Sequence, residues 1–235
     1  MKKIRSILSV ALLAATFFVT SCATSDGMSG GAVGQSLSST SLGSGSSYAA
    51  TLGDFDPQIL PQVMSLFYSF KKLKPRNLQK IYLIPRTNKV EIHFRDNINS
   101  LCIILPEPSR RAIISAADQF EKDVEAGTIR DEKATDKNAY ATMKCDFWWG
   151  VASPSTGAEN TRMLANTKIV DGKAYFVLRI PSAEGRTESK KSAFSPYTEL
   201  YFSPAQLREL CEILDQEYLE EVVQALQQKA DAYYY

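Results

Sequence analysis

Apolar side chains alternate with polar ones over several parts of the chain, a spacing of two that is typical of half-buried β-strands. The clearest case is residues 89–95, where three apolar side chains alternate with Glu91, His93 and Arg95. By this pattern, or by apolar runs between turn residues, strands are predicted over residues 80–86, 89–95, 101–105, 140–152, 161–170, 173–180 and 197–202.

Helical spacing of apolar side chains predicts three helices, over residues 54–74, 108–126 and 203–229. Pro57 suits the first helical position of the first helix, and Pro75 would stop it. The third helix has the strongest start signal. Ser203 is followed three residues later by Gln206, which is a capping box.

This order of elements predicts an α+β fold, with antiparallel sheet covered on one face by helices. The globular domain is predicted over residues 54–235. Its halves, 54–127 and 139–235, each contain strands followed by a helix, which is consistent with two degenerate strand–strand–helix repeats. Residues 153–160 and 181–196 are predicted to be loops, the second one mobile. The pattern leaves open whether the strands form one sheet or two.

The N-terminus has the three parts of a bacterial export signal. Lys2, Lys3 and Arg5 are positively charged, and an apolar run of 13 residues follows at 7–19. That run is shorter than the about 20 residues that a membrane-spanning helix needs. It is followed by Val-Thr-Ser-Cys, ending at Cys22, which resembles the lipobox of bacterial lipoproteins.

The resemblance covers residues 1–22 and implies a lipoprotein precursor. Residues 1–21 would be a type II signal peptide, and Cys22 would carry acyl chains such as palmitate and anchor the protein to a membrane of the cell envelope. Ala23 favours the outer membrane over the inner one, with the domain facing the periplasm or the cell surface. The alternative is an ordinary cleaved signal with Cys22 merely nearby.

Residues 22–53 are rich in serine and glycine and contain few bulky apolar side chains. Such a segment cannot bury enough surface to offset the loss of conformational entropy, so a flexible tether is expected. About 30 residues of this composition have a root-mean-square end-to-end distance of roughly 30 Å. A tether of this kind is what a lipid-anchored domain needs.

Charge gives no indication of nucleic-acid binding. Removing the signal peptide leaves 214 residues and lowers the formal net charge from +1 to −2. A nearly neutral domain exerts no general attraction on nucleic acid, which is therefore not an expected partner.

The remaining cysteines are Cys102, Cys145 and Cys211, each on an apolar face or in an apolar run. Buried thiols are expected, with one disulfide among the three as the alternative. The chain has no Cys-x-x-Cys pair and one histidine, His93. No metal site and no cofactor are predicted on this spacing.

One pair of residues could be catalytic. If the hairpin turns at residues 97–98, His93 and Cys102 lie directly opposite each other, where an imidazole could take the proton of a thiol. The sequence indicates no third group that would orient the imidazole. A solvated histidine on a strand is the simpler interpretation.

A second candidate is a ligand surface on the polar faces of the predicted strands. Aromatic rings beside charged groups can hold a sugar or a peptide. Packing under a loop or a helix is the simpler interpretation of the same residues. The candidate ligand-binding residues are Lys144, Trp148, Tyr175, Arg179 and Tyr201.

These observations predict a non-enzymatic envelope lipoprotein whose domain binds another envelope protein or a wall component such as peptidoglycan. The alternative is a small-ligand module for a sugar or a peptide. A thiol-dependent hydrolase using Cys102 and His93 is the third hypothesis.

The anchor is directly testable. In a Cys22→Ser variant we expect the signal peptide to be retained and acylation to be lost, because only the thiol at this position can accept the lipid. Mass spectrometry of the N-terminus measures both effects. A variant that is processed, and partitions with membranes as the parent does, would contradict the prediction.

Overall fold

The computed structural model describes residues 51–78, 80–130, 132, 135–187, 189 and 191–233. The predicted signal peptide, Cys22 and nearly all of the predicted tether therefore lie outside the described residues. Their assignments stay predictions.

Within the described residues, twelve strands form one sheet, accompanied by three α-helices. No helix of this part of the chain is long and apolar enough to cross a membrane. The elements are β1 (Gln58–Leu60), β2 (Met64–Ser69), β3 (Lys72–Asn77), β4 (Lys80–Ile84), β5 (Lys89–Asp96), β6 (Asn99–Pro106), α1 (Glu107–Ala126), β7 (Ala141–Gly150), β8 (Thr156–Val170), β9 (Lys173–Ile180), β10 (Glu184–Thr187), β11 (Ser192–Phe194), β12 (Thr198–Phe202), α2 (Pro204–Leu214) and α3 (Gln216–Ala232).

The order of strands requires the sheet to curl. The order is β1-β4-β5-β6-β7-β8-β9-β12-β2-β3, with all pairs antiparallel. In a flat sheet, eight strand spacings would separate β1 from β2 by about 38 Å. Residues 61–63 link these two strands and span at most about 15 Å. The two ends of the sheet must therefore approach each other.

One continuous core fills the inner side of the curl. Helix α1 packs against β6, β7, β8 and β9, and α2 packs against β9 and β12. The largest buried side chains come from strands and helices alike, and α3 adds Leu219 and Val223. Fully buried aromatic side chains are Phe94, Phe120, Phe147, Phe176 and Phe202.

Arg110 is a buried cation that joins three parts of the fold. It lies on α1 and is 1 % exposed. Its guanidinium donates to the carbonyl of Leu214 at 3.0 Å, to Oδ1 of Asn88 at 2.6 Å and to Oε1 of Gln216 at 2.9 Å. Helix α1 is thereby tied to the turn before β5 and to the junction of α2 and α3. Burial lowers the pKa of the guanidinium, which remains charged at neutral pH.

The predicted α+β class is confirmed, with mostly antiparallel sheet. The capping box at Ser203 is present, since Ser203 Oγ accepts from the Gln206 amide. The hypothesis of two repeats is not confirmed. Strands of both predicted halves share a single sheet, in which β7, β8, β9 and β12 lie between β6 and β2.

The predicted helix over residues 54–74 is wrong. This segment forms β1, β2 and the first part of β3. Pro61 lacks the amide hydrogen that a helix interior needs, and Phe67 and Tyr68 favour strands. Strand β2 then pairs with β12 and extends the sheet. Pro75 lies in β3, an edge strand where proline is tolerated.

Two predicted loops and one helix also need correction. Strand β8 starts at Thr156, inside the loop predicted over 153–160. The loop predicted over 181–196 contains β10 and β11, and β10 pairs with the start of β8. The helix predicted over 203–229 is divided at Asp215, whose carboxylate accepts from the amides of Glu217 and Tyr218 and caps α3.

The contacts of Arg110 yield a stability prediction. We expect Arg110→Met to lower the free energy of unfolding by about 3 kcal/mol, because the buried oxygens that accept from the guanidinium would lose their donor. Urea denaturation measures this change. The neighbouring variant Arg111→Met is the control, since the Arg111 side chain is 69 % exposed. Equal effects of the two substitutions would contradict the assignment.

Candidate functional site

Strand β12 directs a set of polar side chains away from the core. Thr198, Leu200 and Phe202 are buried on the inner face. Because side chains alternate along a strand, Glu199 and Tyr201 lie on the outer face. Tyr197 precedes the strand and is 54 % exposed.

Glu199 is the centre of a hydrogen-bond cluster. Its Oε1 lies 2.7 Å from Nη2 of Arg179, and the hydroxyl of Tyr197 donates to the same oxygen at 2.6 Å. The hydroxyl of Tyr201 donates to Oε2 at 2.7 Å. Burial and the bond to Glu199 raise the pKa of both tyrosines above the usual value. Both hydroxyls therefore remain protonated at neutral pH.

The cluster forms one wall of a cavity of about 300 Å³. We call it the tyrosine groove. Strands β2 and β3 and the turn after β5 supply the other walls. Its principal lining residues are Tyr68, Arg76, Asp96, Tyr197, Glu199 and Tyr201.

Arg76 and Asp96 connect two distant strands across the groove. Nη2 of Arg76 on β3 lies 2.7 Å from Oδ1 of Asp96 at the end of β5. The guanidinium also lies over the ring of Phe67, 4.4 Å from its centroid. Burial lowers the pKa of Arg76, and Asp96 opposes that shift. The groove therefore lies where the curl of the sheet brings β3 close to β5.

The groove combines aromatic faces with hydrogen-bonding edges. The rings of Tyr68 and Tyr201 stack with centroids 6.3 Å apart, and Tyr68 is 49 % exposed. Exposed aromatic rings bind the apolar faces of sugars and peptide groups, while charged groups bind their polar edges. Such an arrangement can hold one small polar ligand.

The structure brings together two of the five ligand residues predicted from sequence. Tyr201 lines the groove, and Arg179 reaches it through Glu199. The other three lie elsewhere on the sheet, since Lys144 pairs with Arg162, Trp148 lies over Gly157 and Tyr175 pairs with Lys168. They belong to other strands, or to the far end of β9, and do not line the groove.

Four residues of the groove are not among those predicted from the sequence. Tyr68 lies in the segment that helical spacing misassigned, and Arg76 follows it. Asp96 ends β5 and Tyr197 precedes β12, and neither is among the predicted ligand residues. The adjacent aromatic residues within 64–69 were a local indication of a strand there.

The predicted pairing of His93 with Cys102 is confirmed. The two residues are register partners, and Sγ of Cys102 lies 3.5 Å from Nε2 of His93. Oε2 of Glu91 lies 3.1 Å from that same nitrogen. Burial, with a contribution from Glu91, raises the pKa of the thiol. Because Glu91 and the thiol share one imidazole nitrogen, Glu91 is not placed as the third group of a nucleophilic triad.

All three cysteines of the described chain are free thiols. Cys145 is buried on the inner face of β7 and Cys211 is partly buried on α2. The disulfide that the composition left open is therefore not formed among Cys102, Cys145 and Cys211.

A second, acidic cavity of about 590 Å³ lies beside α2 and α3. Its floor includes apolar side chains, among them Val63, Ile213 and Tyr218. Five carboxylates line it, from Glu209, Glu212, Asp215, Glu217 and Glu221. We call it the acidic cleft. Its charge favours a cationic partner.

Comparison with known proteins places the chain in a family. The family described as "Uncharacterised Treponema protein" matches residues 23–221, and the chain belongs to it. A relative in Treponema pallidum (strain Nichols), described as "Uncharacterized protein", is 23 % identical over 164 residues, which are 68 % of this chain and 57 % of that protein. The chain thus spans a little more than half the length of that relative. No solved structure matches the chain.

The tyrosine cluster predicts a loss of stability in alkali. The pKa of Tyr201 is raised on folding, so the folded state holds the phenol proton more tightly than the unfolded state does. This contribution is complete below about pH 10, the unfolded value, and is lost as the pH rises above it.

Urea denaturation between neutral and alkaline pH measures the effect. We expect the free energy of unfolding to fall less steeply above about pH 10 in Tyr201→Phe than in the parent. The matched control is Tyr233→Phe, because Tyr233 is 92 % exposed. An unchanged slope in Tyr201→Phe would show that the hydroxyl is not coupled to Glu199.

Proposed function

We propose that this protein is a lipid-anchored lipoprotein of the cell envelope that binds a wall-derived ligand, a sugar or a short peptide, in the tyrosine groove. The observation that carries the binding proposal is the groove itself, where three tyrosines surround charged groups in one cavity. The domain acts as a binding module without catalysis.

The anchor is supported by the charged and apolar segments that end at the lipobox. The family match supports it too, because it begins at residue 23, immediately after the proposed acylated cysteine. Acyl chains at Cys22 and a tether of about 30 residues would hold the domain near the membrane, at a root-mean-square distance of roughly 30 Å. The outer membrane is the proposed location, on the basis of Ala23.

The size and chemistry of the groove support a small polar ligand. Its volume of about 300 Å³ is at the lower end for small-molecule sites. A cavity of this size suits one sugar ring or a short peptide. Tyr68 and Tyr197 offer exposed rings for stacking. Arg76, Asp96 and Glu199 offer charged groups at the edges.

The charges of the groove support binding rather than hydrolysis. Each acidic group is held by an arginine, Asp96 by Arg76 and Glu199 by Arg179. The two carboxylates are thus better suited to accept hydrogen bonds from ligand hydroxyl or amide groups.

The acidic cleft supports a second candidate function, the binding of another envelope protein. Its apolar floor is surrounded by Glu209, Glu212 and Glu221, among other carboxylates. A segment with apolar and basic side chains would complement it. Such binding would weaken with added salt, because it depends on charge.

Calorimetric titration of the full chain with purified wall fragments tests the groove. We expect saturable binding that Tyr197→Ala weakens by about fivefold, since an aromatic contact contributes about 1 kcal/mol. Tyr175→Ala is the matched control, because Tyr175 is an outer-face tyrosine outside the groove. Binding that is absent, or equally weakened by both variants, would contradict the proposal. Binding of basic peptides that Tyr197→Ala leaves intact would favour the acidic cleft.

A further inference from the structure

Three different metal-ligating side chains meet on the outer face of β5 and β6. Nε2 of His93 lies 3.1 Å from Oε2 of Glu91 and 3.5 Å from Sγ of Cys102. All three ligand atoms lie within 4.8 Å of one another. No part of the function proposed above uses this cluster.

The register of the sheet places these atoms together. Glu91 and His93 are two residues apart on β5, so both side chains point to the same face. Cys102 on β6 is the direct partner of His93. Both strands have neighbours on each side, β4 and β7, which hold their backbones in place. The three ligands are therefore presented from rigid, fully paired strands.

We propose that Glu91, His93 and Cys102 form a site for a divalent transition-metal ion of the Zn²⁺ class, with one coordination position open to water or a ligand. Three protein ligands and one open position are the arrangement of accessible zinc sites. The side chains of His93 and Glu91 are 30 % and 28 % exposed, which leaves a path for the ion, whereas Cys102 is buried.

The distances fit a tetrahedral ion. A Zn–S bond of about 2.3 Å and a Zn–N bond of about 2.0 Å, at a tetrahedral angle, place the sulfur and nitrogen about 3.5 Å apart. Sγ of Cys102 and Nε2 of His93 are separated by 3.5 Å. Nε2 of His93 and Oε2 of Glu91 are at 3.1 Å, somewhat closer than the ideal, and a small rotation of the Glu91 carboxylate corrects this.

The donor set selects the class of metal. Thiolate and imidazole favour Zn²⁺ and its neighbours over Mg²⁺ and Ca²⁺, which prefer oxygen ligands. Binding displaces one proton from the Cys102 thiol, so the thiolate, the Glu91 carboxylate and the dication sum to zero charge. A neutral site suits its surroundings, where the ring of Tyr82 lies edge-on to His93, 5.6 Å away, and Trp148 is the register partner of Cys102.

Pattern rules based on sequence spacing do not find such a site. They require Cys-x-x-Cys or His-x-x-x-His pairs, and this chain has one histidine. Spacing along the chain therefore predicts no metal site. Here the register of a hairpin, and not a short spacing along the chain, brings the ligands together. Cys102 and His93 are nine residues apart in sequence but are in contact across the two strands.

Cobalt titration of the full chain under reducing conditions tests the proposal. We expect one equivalent of Co²⁺ to give a near-ultraviolet thiolate-to-metal charge-transfer band, and Zn²⁺ to displace it. Cys102→Ser should abolish the band, and Glu91→Gln should weaken Co²⁺ binding by about tenfold or more. The matched control Cys211→Ser should keep the band, because the Cys211 thiol on α2 lies outside the cluster.

A second measurement guards against variants that fold poorly. Zn²⁺ should raise the melting temperature of the parent and of Cys211→Ser, and have a smaller effect on Glu91→Gln, whose side chain is partly exposed. Absence of a charge-transfer band in the parent would overturn the proposal. So would a band that survives in Cys102→Ser or disappears in Cys211→Ser.

Discussion

The short link between β1 and β2 is the constraint on which this fold depends. The two strands lie at or near opposite ends of the strand order, and only residues 61–63 connect them. The sheet must therefore curl until its ends meet, and the core and helices fill the space inside. Arg110 then fixes α1 to the turn before β5 and to the junction of α2 and α3. Hydrogen bonds from a buried cation to several acceptors depend on direction, so they fix the relative positions of these elements more specifically than apolar packing alone does.

The same closure produces the tyrosine groove. Where β3 approaches the end of β5, Arg76 is held between the ring of Phe67 and the carboxylate of Asp96. Strand β12 contributes Glu199 and Tyr201 from the adjoining side, and Tyr197 lies immediately before it. Because the walls come from strands far apart in sequence, their geometry depends on the whole sheet. Substitutions that loosen the curl are therefore expected to affect the groove without touching it.

Strand β5 contributes to both candidate sites. Glu91 and His93 lie in its middle and Asp96 lies at its end. Glu91 and His93 lie on the outer face of β5, whereas Asp96 shares the parity of the buried Ile92 and Phe94 and joins the groove where the strand ends. The proposed lipid anchor would hold both sites near the envelope membrane, within reach of wall fragments.

The local sequence pattern was sufficient to predict a strand wherever the strand has one face in the core and one face outside. Residues 89–95 were predicted as a strand, the partner of His93 was found from the hairpin turn, and the start of α2 followed from its capping box. These features depend on neighbours within a few residues. Of the candidate ligand residues, Tyr201 and Arg179 lie together at the groove, and both belong to clearly alternating strands.

Tertiary contacts decided the rest. Residues 54–74 could satisfy a helical spacing, but pairing with β4 and β12 made them strands. Neither the groove nor the convergence of Glu91 on the His93–Cys102 pair can be read from chain spacing, because each depends on side chains that meet across a sheet. Alternation records which face of a strand is buried, whereas strand order and closure depend on free energies shared among distant residues.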